Sequence, residues 1–183
     1  MHQYYVSTLE QIWQKAERQT PHVEEVFEQR RGSVCVRPLF ALMQFSQRVD
    51  LSDEILQSNP WRMLQEASLD MIILHNDLLS YPKEQSKGVP HNLIAAWRAG
   101  GGTAQAAIDF MAKELQLRHS MLQDAAKDLN SLFSGDEVRK YVEGVRNIIS
   151  ANLYRSFRSR RFFIDDFGLR IRTEGRIAFS DCH

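Results

Sequence analysis

Apolar residues recur along this chain at intervals of three and four, and no stretch alternates long enough to read as a strand. The spacing predicts a first helix over about 3–19. Thr20-Pro21 reads as an N-cap with proline in the first helical position, opening a second helix through Arg31. Gly32-Ser33 breaks it. A third, largely apolar helix covers 34–45, where Pro38 should force a bend or a late start. Asn59-Pro60 opens a long helix that Lys87-Gly88-Val89-Pro90 ends, and a short helix over 93–98 stops at Gly100-Gly101-Gly102. Thr103 caps a long amphipathic helix to about Leu129, with Ala107, Phe110, Met111, Leu115, Met121 and Leu122 as expected core positions. After Ser134-Gly135, Asp136 begins a last helix to about Phe163, and the tail over 165–183 is of mixed character and expected to be only partly ordered. The pattern predicts an all-α protein.

Length and charge narrow the classes. The 183 residues suffice for one compact domain with a substantial core and are too few for two ordinary ones. With 23 basic and 23 acidic side chains, the chain lacks the basic surplus of a general nucleic-acid binder. No segment approaches the run of about 20 apolar residues that spans a bilayer, and Met1-His2-Gln3-Tyr4-Tyr5 does not resemble a signal peptide. Cys35 and Cys182 lie far apart with no CxxC pair, and the six histidines show no metal-ligand spacing. A soluble, cytoplasmic protein is the expectation.

One segment changes this picture. Eight of the eleven positions over 69–79 are large and apolar, counting His75 as aromatic, so this part of the long helix should be buried. Into its far end enter Asn76, Ser80 and Glu84, four residues apart and each rotated about 40° from the last. Their Cα atoms span about 12 Å, so one ion meets all three only if Glu84 reaches back toward Ser80. An amide oxygen, a hydroxyl and a carboxylate form a hard-oxygen set suited to Mg²⁺. Its low negative charge leaves the ion able to attract a phosphate. The same spacing also occurs on solvated helix faces, but a buried helix makes unpaired polar groups costly.

Arginines supply candidate anion contacts. Arg30-Arg31 stands at a helix end, where a favourable interaction with the helix dipole is the plainer reading. Arg155, Arg158, Arg160 and Arg161 interleave with Phe157, Phe162 and Phe163. A base-stacking surface would have that composition. An ordinary core stripe has the same spacing and is preferred.

In this order the segments resemble class I terpene synthases. Asn76 to Glu84 is similar to that family's second metal motif, the asparagine/serine/glutamate triad. The flanking Leu74-His75 and Gln85-Ser86-Lys87-Gly88 resemble fungal sesquiterpene synthases in particular. Arg30-Arg31-Gly32-Ser33-Val34-Cys35-Val36-Arg37-Pro38 resembles the region where an arginine senses diphosphate and a helix break supplies an effector carbonyl. The run from Ser159 to Phe163 resembles the C-terminal Arg-Tyr motif. The resemblance implies the second half of a class I terpenoid synthase fold, a partial C-terminal metal-binding domain over 1–183. It implies a Mg²⁺-dependent lyase that ionises a prenyl diphosphate, farnesyl diphosphate in most relatives, and cyclises the carbocation. Asn76, Ser80 and Glu84 would hold one Mg²⁺, Arg31, Lys83 and Arg161 would contact the diphosphate, and Cys35 would occupy the effector position.

The departures from the family pattern matter. The family's aspartate-rich first metal motif has no counterpart here: Asp50 and Asp53-Glu54 fall in an expected loop, and Asp165-Asp166 lies beyond the other motifs. Phe162 replaces the tyrosine of the Arg-Tyr pair, Arg155 an aromatic residue and Cys35 a common glycine, while Pro82 interrupts the triad's helix. The isolated chain is therefore expected to turn over little substrate. Alternatives are a non-catalytic helical remnant that packs with partners or with itself through exposed apolar faces, and a weaker reading as a nucleic-acid binder.

Overall fold

The computed structural model describes residues 2–17, 22–163 and 167–175, and all regular structure among them is helical. In order these are α1 (His2–Ala16), α2 (Val23–Ser33), α3 (Val36–Gln47), α4 (Asp53–Gln57), α5 (Asn59–Ser86), α6 (Leu93–Ala99), α7 (Ala104–Leu132), α8 (Asp136–Arg158) and α9 (Phe167–Glu174). The cap expected at Thr20-Pro21, the residues 164–166 and the end of the tail after 175 lie outside the described residues.

Local signals set most boundaries. The Ser58 hydroxyl accepts from Trp61 N at 3.4 Å and Pro60 fits the first turn of α5, where its missing N–H costs nothing. Asn92 Oδ1 accepts from Ile94 N at 2.9 Å to cap α6, and Thr103 Oγ1 from Ala106 N at 3.1 Å to cap α7. Pro38 sits in the first turn of α3, which accordingly starts at Val36. Two expectations are corrected. The segment carrying Asp53 and Glu54 is the short helix α4, not a loop, its two acids lying at its amino end. The last long helix ends at Arg158, five residues before Phe163: Ser159 turns extended, and Phe162 N bonds back to Ser159 O.

α5 is the axis. It packs against α2, α4, α6, α7 and α8, and every residue from Ala67 to Leu74 is buried. The stripe predicted for α7 faces it, with Ala107, Met111 and Leu122 fully buried and Phe110, Leu115 and Met121 partly so. A second small cluster of Leu79, Phe163 and Ile171, flanked by Leu153, Phe157 and Phe162, holds α9 against α8. Phe157 and Phe163 lie nearly parallel with centroids 6.3 Å apart. These phenylalanines form a core stripe, so the base-stacking reading loses its aromatic platform.

Two apolar faces have no cover among the described residues. On α1, Tyr5, Leu9, Ile12 and Trp13 are each more than half exposed; on α3, Leu42 is 62 % and Phe45 84 % exposed.

Two glycines permit close approach. A Cβ on Gly168 would stand 2.2 Å from the Phe157 carbonyl oxygen, and one on Gly144 2.4 Å from Met43 Sδ. The carbonyl belongs to a helix and cannot yield, whereas a thioether can swing aside. Gly168→Ala should therefore cost about 1–3 kcal/mol and loosen α9, with Gly144→Ala costing less. Urea unfolding of the two variants checks the order.

Candidate functional site

Buried carboxylates on α5 organise the site. Asp70 is 2 % exposed and receives a two-pronged bond from Arg31, Nε to Oδ1 and Nη2 to Oδ2, both 2.7 Å. Arg118 of α7 adds Nε to Oδ2 at 2.8 Å, while its Nη2 reaches Glu114 at 3.0 Å. The bond to Asp70 raises the Arg31 pKa above its ordinary value, against the opposing effect of burial. Two turns along α5, Asp77 is fully buried. Burial pushes its carboxyl upward; Arg30 Nη2 at 2.7 Å from Oδ1 and the Leu93 N–H at 3.0 Å from Oδ2 pull it back.

Arg30 and Arg31 thus leave α2 in different directions. Arg30 donates Nη2 to Asn76 Oδ1 at 2.7 Å and faces an open cavity of about 620 Å³. Cys35, Met43, Ile72, Asn76, Asn152, Arg155 and Arg161 also line it, and among the described residues no acid does. Arg31, expected at the diphosphate, lies outside that lining because Asp70 and Glu28 engage its guanidinium. Among the described residues no carboxylate pairs with Arg155 or Arg161. Lys83 stands beside Arg161, its Nζ donating to the Arg161 carbonyl at 2.6 Å. The Arg161 guanidinium lies 5.7 Å from the Phe162 ring centroid, a cation–π contact at the position where the resemblance implies a tyrosine.

The helix break expected at residues 32–33 is sharpest at Cys35, the N-cap of α3, at φ 57° and ψ 26°. That left-handed conformation favours glycine and costs a residue with a Cβ roughly 1 kcal/mol. This is the physical reason a glycine suits the position. Cys35 is exposed and lines the cavity.

Asn76, Ser80 and Glu84 share one face of α5 but are engaged differently. Ser80 is buried, at 4 % exposure, and the other two are half-buried. Ser80 Oγ and Glu84 Oε2 both face the side-chain nitrogen of Asn92, at 3.5 and 3.0 Å, whereas Asn76 Oδ1 faces Arg30. The point these two oxygens share is that amide nitrogen, and the three donors suit a small divalent cation in kind. The α5 helix runs through Pro82 to Ser86, keeping Glu84 on that face.

Comparison with known proteins shows the family. Residues 1–118 match the family model described as terpene synthase family 2, C-terminal metal binding. The chain is a member of the terpene synthase family. It is similar to sesquiterpene synthase 9 of Postia placenta (32 % identity, 97 % of this chain, 52 % of that protein). It also resembles alpha-muurolene synthase of Coprinopsis cinerea (30 % identity, 80 % of this chain, 35 % of that protein). In these pairings the terpene synthase chain described here spans about half of its relatives' length or less. Among solved structures, linalool/nerolidol synthase of Streptomyces clavuligerus in complex with 2-fluorogeranyl diphosphate superposes with a TM-score of 0.79. The match has 18 % identity and covers 87 % of this chain and 56 % of that one. The fold is that of class I terpene synthases, present over about half its length. A divalent metal is consistent with the matched domain. No helix among the described residues is long and apolar enough to cross a membrane.

Three residues at the site are not singled out for it by the sequence: the resemblance implies Arg31 rather than Arg30, treats Arg155 as a departure from the pattern, and gives Asn92 no role. An asparagine directly before a helix is a capping signal, but its contacts with α5 depend on how the helices pack.

His75, between the core run and Asn76, is held by burial to a pKa of about 4 against an ordinary 6.5. Its folded state favours the neutral ring, so the associated stability is complete above about pH 6.5 and lost as pH falls through about 4. The loss should total on the order of 3 kcal/mol. Thermal unfolding at pH 7, 5.5 and 4 should show a steeper acid decline in the wild type than in His75→Gln.

Proposed function

We propose that this chain forms the metal- and diphosphate-gripping wall of a Mg²⁺-dependent terpene cyclase whose substrate is a prenyl diphosphate such as farnesyl diphosphate. The observation that carries the reading is the cavity wall that Arg30, Arg155 and Arg161 share with Asn76, lined by no acid among the described residues. Guanidinium groups grip phosphate oxygens in forked pairs and remain cationic at any relevant pH. Sesquiterpene synthases among the relatives and the fluorogeranyl diphosphate bound by a structural neighbour support the choice of ligand class.

In this reading Asn76, Ser80 and Glu84 hold one Mg²⁺, and Arg30, Arg155 and Arg161 receive the diphosphate, with Lys83 at its edge. When bound, the ion would neutralise the leaving group and ease ionisation of the allylic ester. Arg30 occupies the sensing position in place of Arg31. Diphosphate drawn to Arg30 competes with its bond to Asn76 and releases the amide oxygen to the metal triad. Anion and cation then bind cooperatively through one hydrogen bond. Cys35, on the left-handed break beside Arg30, sets the backbone at the effector position. The aromatic and aliphatic walls needed to fold the carbocation are only partly present, with Tyr4, Leu39, Met43, Ile72 and Ile148 lining one side.

Calorimetric titration with inorganic diphosphate, with and without Mg²⁺, tests the binding wall. Arg155→Ala and Arg161→Ala should each weaken binding by at least about tenfold, since charge-assisted bonds are lost, with unfolding midpoints near wild type. Unchanged affinity in both variants refutes the assignment. Incubation with farnesyl diphosphate and Mg²⁺ should give little or no volatile product from the isolated chain. Any turnover should vanish in Asn76→Ala and Glu84→Ala.

A second reading, a helical protein that associates through its apolar faces, is favoured by the uncovered stripes on α1 and α3. Sedimentation velocity should show concentration-dependent dimers that Leu9→Lys combined with Trp13→Lys converts to monomers.

A further inference from the structure

Asn92 has a connection that capping α6 does not require. It is 0 % exposed, on the loop that returns the chain from the end of α5 to α6. Its Oδ1 caps α6 through Ile94 N. The other end of the amide turns onto α5, where Nδ2 lies 2.8 Å from the Asp77 carbonyl, 3.0 Å from Glu84 Oε2 and 3.5 Å from Ser80 Oγ. Those partners are a backbone oxygen and two of the three triad side chains. The next residue repeats the tie, Leu93 N donating to Asp77 Oδ2 at 3.0 Å.

We propose that Asn92 is a positioning residue for the metal triad: its amide nitrogen holds one oxygen of the Glu84 carboxylate and so fixes that side chain beside Ser80. The proposal rests on the reading of Asn76, Ser80 and Glu84 as metal donors. The physical case is steric and electrostatic. Glu84 is a half-buried, long side chain with three rotatable bonds, and Pro82 removes one backbone hydrogen bond from the helix turn that carries it. Left alone, its carboxylate would sample many rotamers, and ordering it would weaken cation binding. A buried donor at 3.0 Å selects one orientation in advance and leaves the second carboxylate oxygen available. Hydrogen-bonded partners of metal ligands act in this way, and their removal costs roughly 10–100-fold in metal affinity.

The test separates positioning from capping. Asn92→Ser and Asn92→Thr keep a hydroxyl acceptor at the N-cap of α6 but lose the amide donor that reaches Glu84. Mn²⁺, read by electron paramagnetic resonance in the presence of inorganic diphosphate, reports binding without turnover. Wild type should bind Mn²⁺, and Glu84→Gln should lose most of that binding. Asn92→Ser and Asn92→Thr should bind roughly 10–100-fold more weakly, with wild-type helix content by circular dichroism. Combining Asn92→Ser with Glu84→Gln should give little further loss, since both act through one carboxylate. Wild-type Mn²⁺ affinity in folded Asn92→Ser and Asn92→Thr overturns the proposal while leaving the triad reading intact. Equal losses from Asn92→Ser in the wild-type and Glu84→Gln backgrounds also overturn it. Absence of Mn²⁺ binding by the wild type overturns the triad reading and this one with it.

Discussion

Two carboxylates buried two turns apart on α5, Asp70 and Asp77, are the constraint from which the site follows. A buried acid without a counter-charge is strongly destabilising, so each must be met by a cation in the folded state. Arg30 and Arg31 are consecutive on α2 and point about 100° apart, so one side chain can meet each acid. The match fixes both the rotation of α2 against α5 and which arginine faces the cavity. Arg118 completes the Asp70 cluster and ties in α7, so three helices meet at one ionic knot. Replacing these ions with apolar residues of similar volume could preserve stability, but it would release Arg30 from its direction.

The same constraint explains what could be read from the chain beforehand. Glycines, prolines and caps at residues 58–60, 87–90, 100–103 and 134–136 act within a few residues, so the helices they bound were legible. The apolar run over 71–74 marked the axis of the fold, and the oxygen triad behind it lies on one face of that helix. The choice between Arg30 and Arg31 was not legible, because it depends on Asp70 and Asp77, 39 to 47 positions away, and on helix rotation. The end of α8 was misplaced for a different reason. Residues 158–163 contain neither glycine nor proline, and the chain leaves the helix to pack Phe163 against Leu79. α4 is only five residues long, too short for a periodic signal.

Asn92 illustrates how one buried amide can serve two purposes without compromise. Its acceptor end satisfies a helix terminus, and its donor end satisfies side chains on another helix. An aspartate would cap as well but could not donate, and a serine would cap without reaching. The first purpose is local, an asparagine directly before a helix. The second appears only when α6 is laid against α5.

Gly144 shows how far from the ligand-facing surface the shape of that surface can be set. It is absent from the cavity lining, yet its missing side chain lets Met43 of α3 settle directly on α8. Met43 and Leu39 of α3 line the cavity together with Ile148, Ala151 and Arg155 of α8. The spacing of the two helices there is therefore a property of their crossing, where a hydrogen atom stands in place of a side chain. The girth of the cavity is thereby inherited from a residue that no occupant would touch.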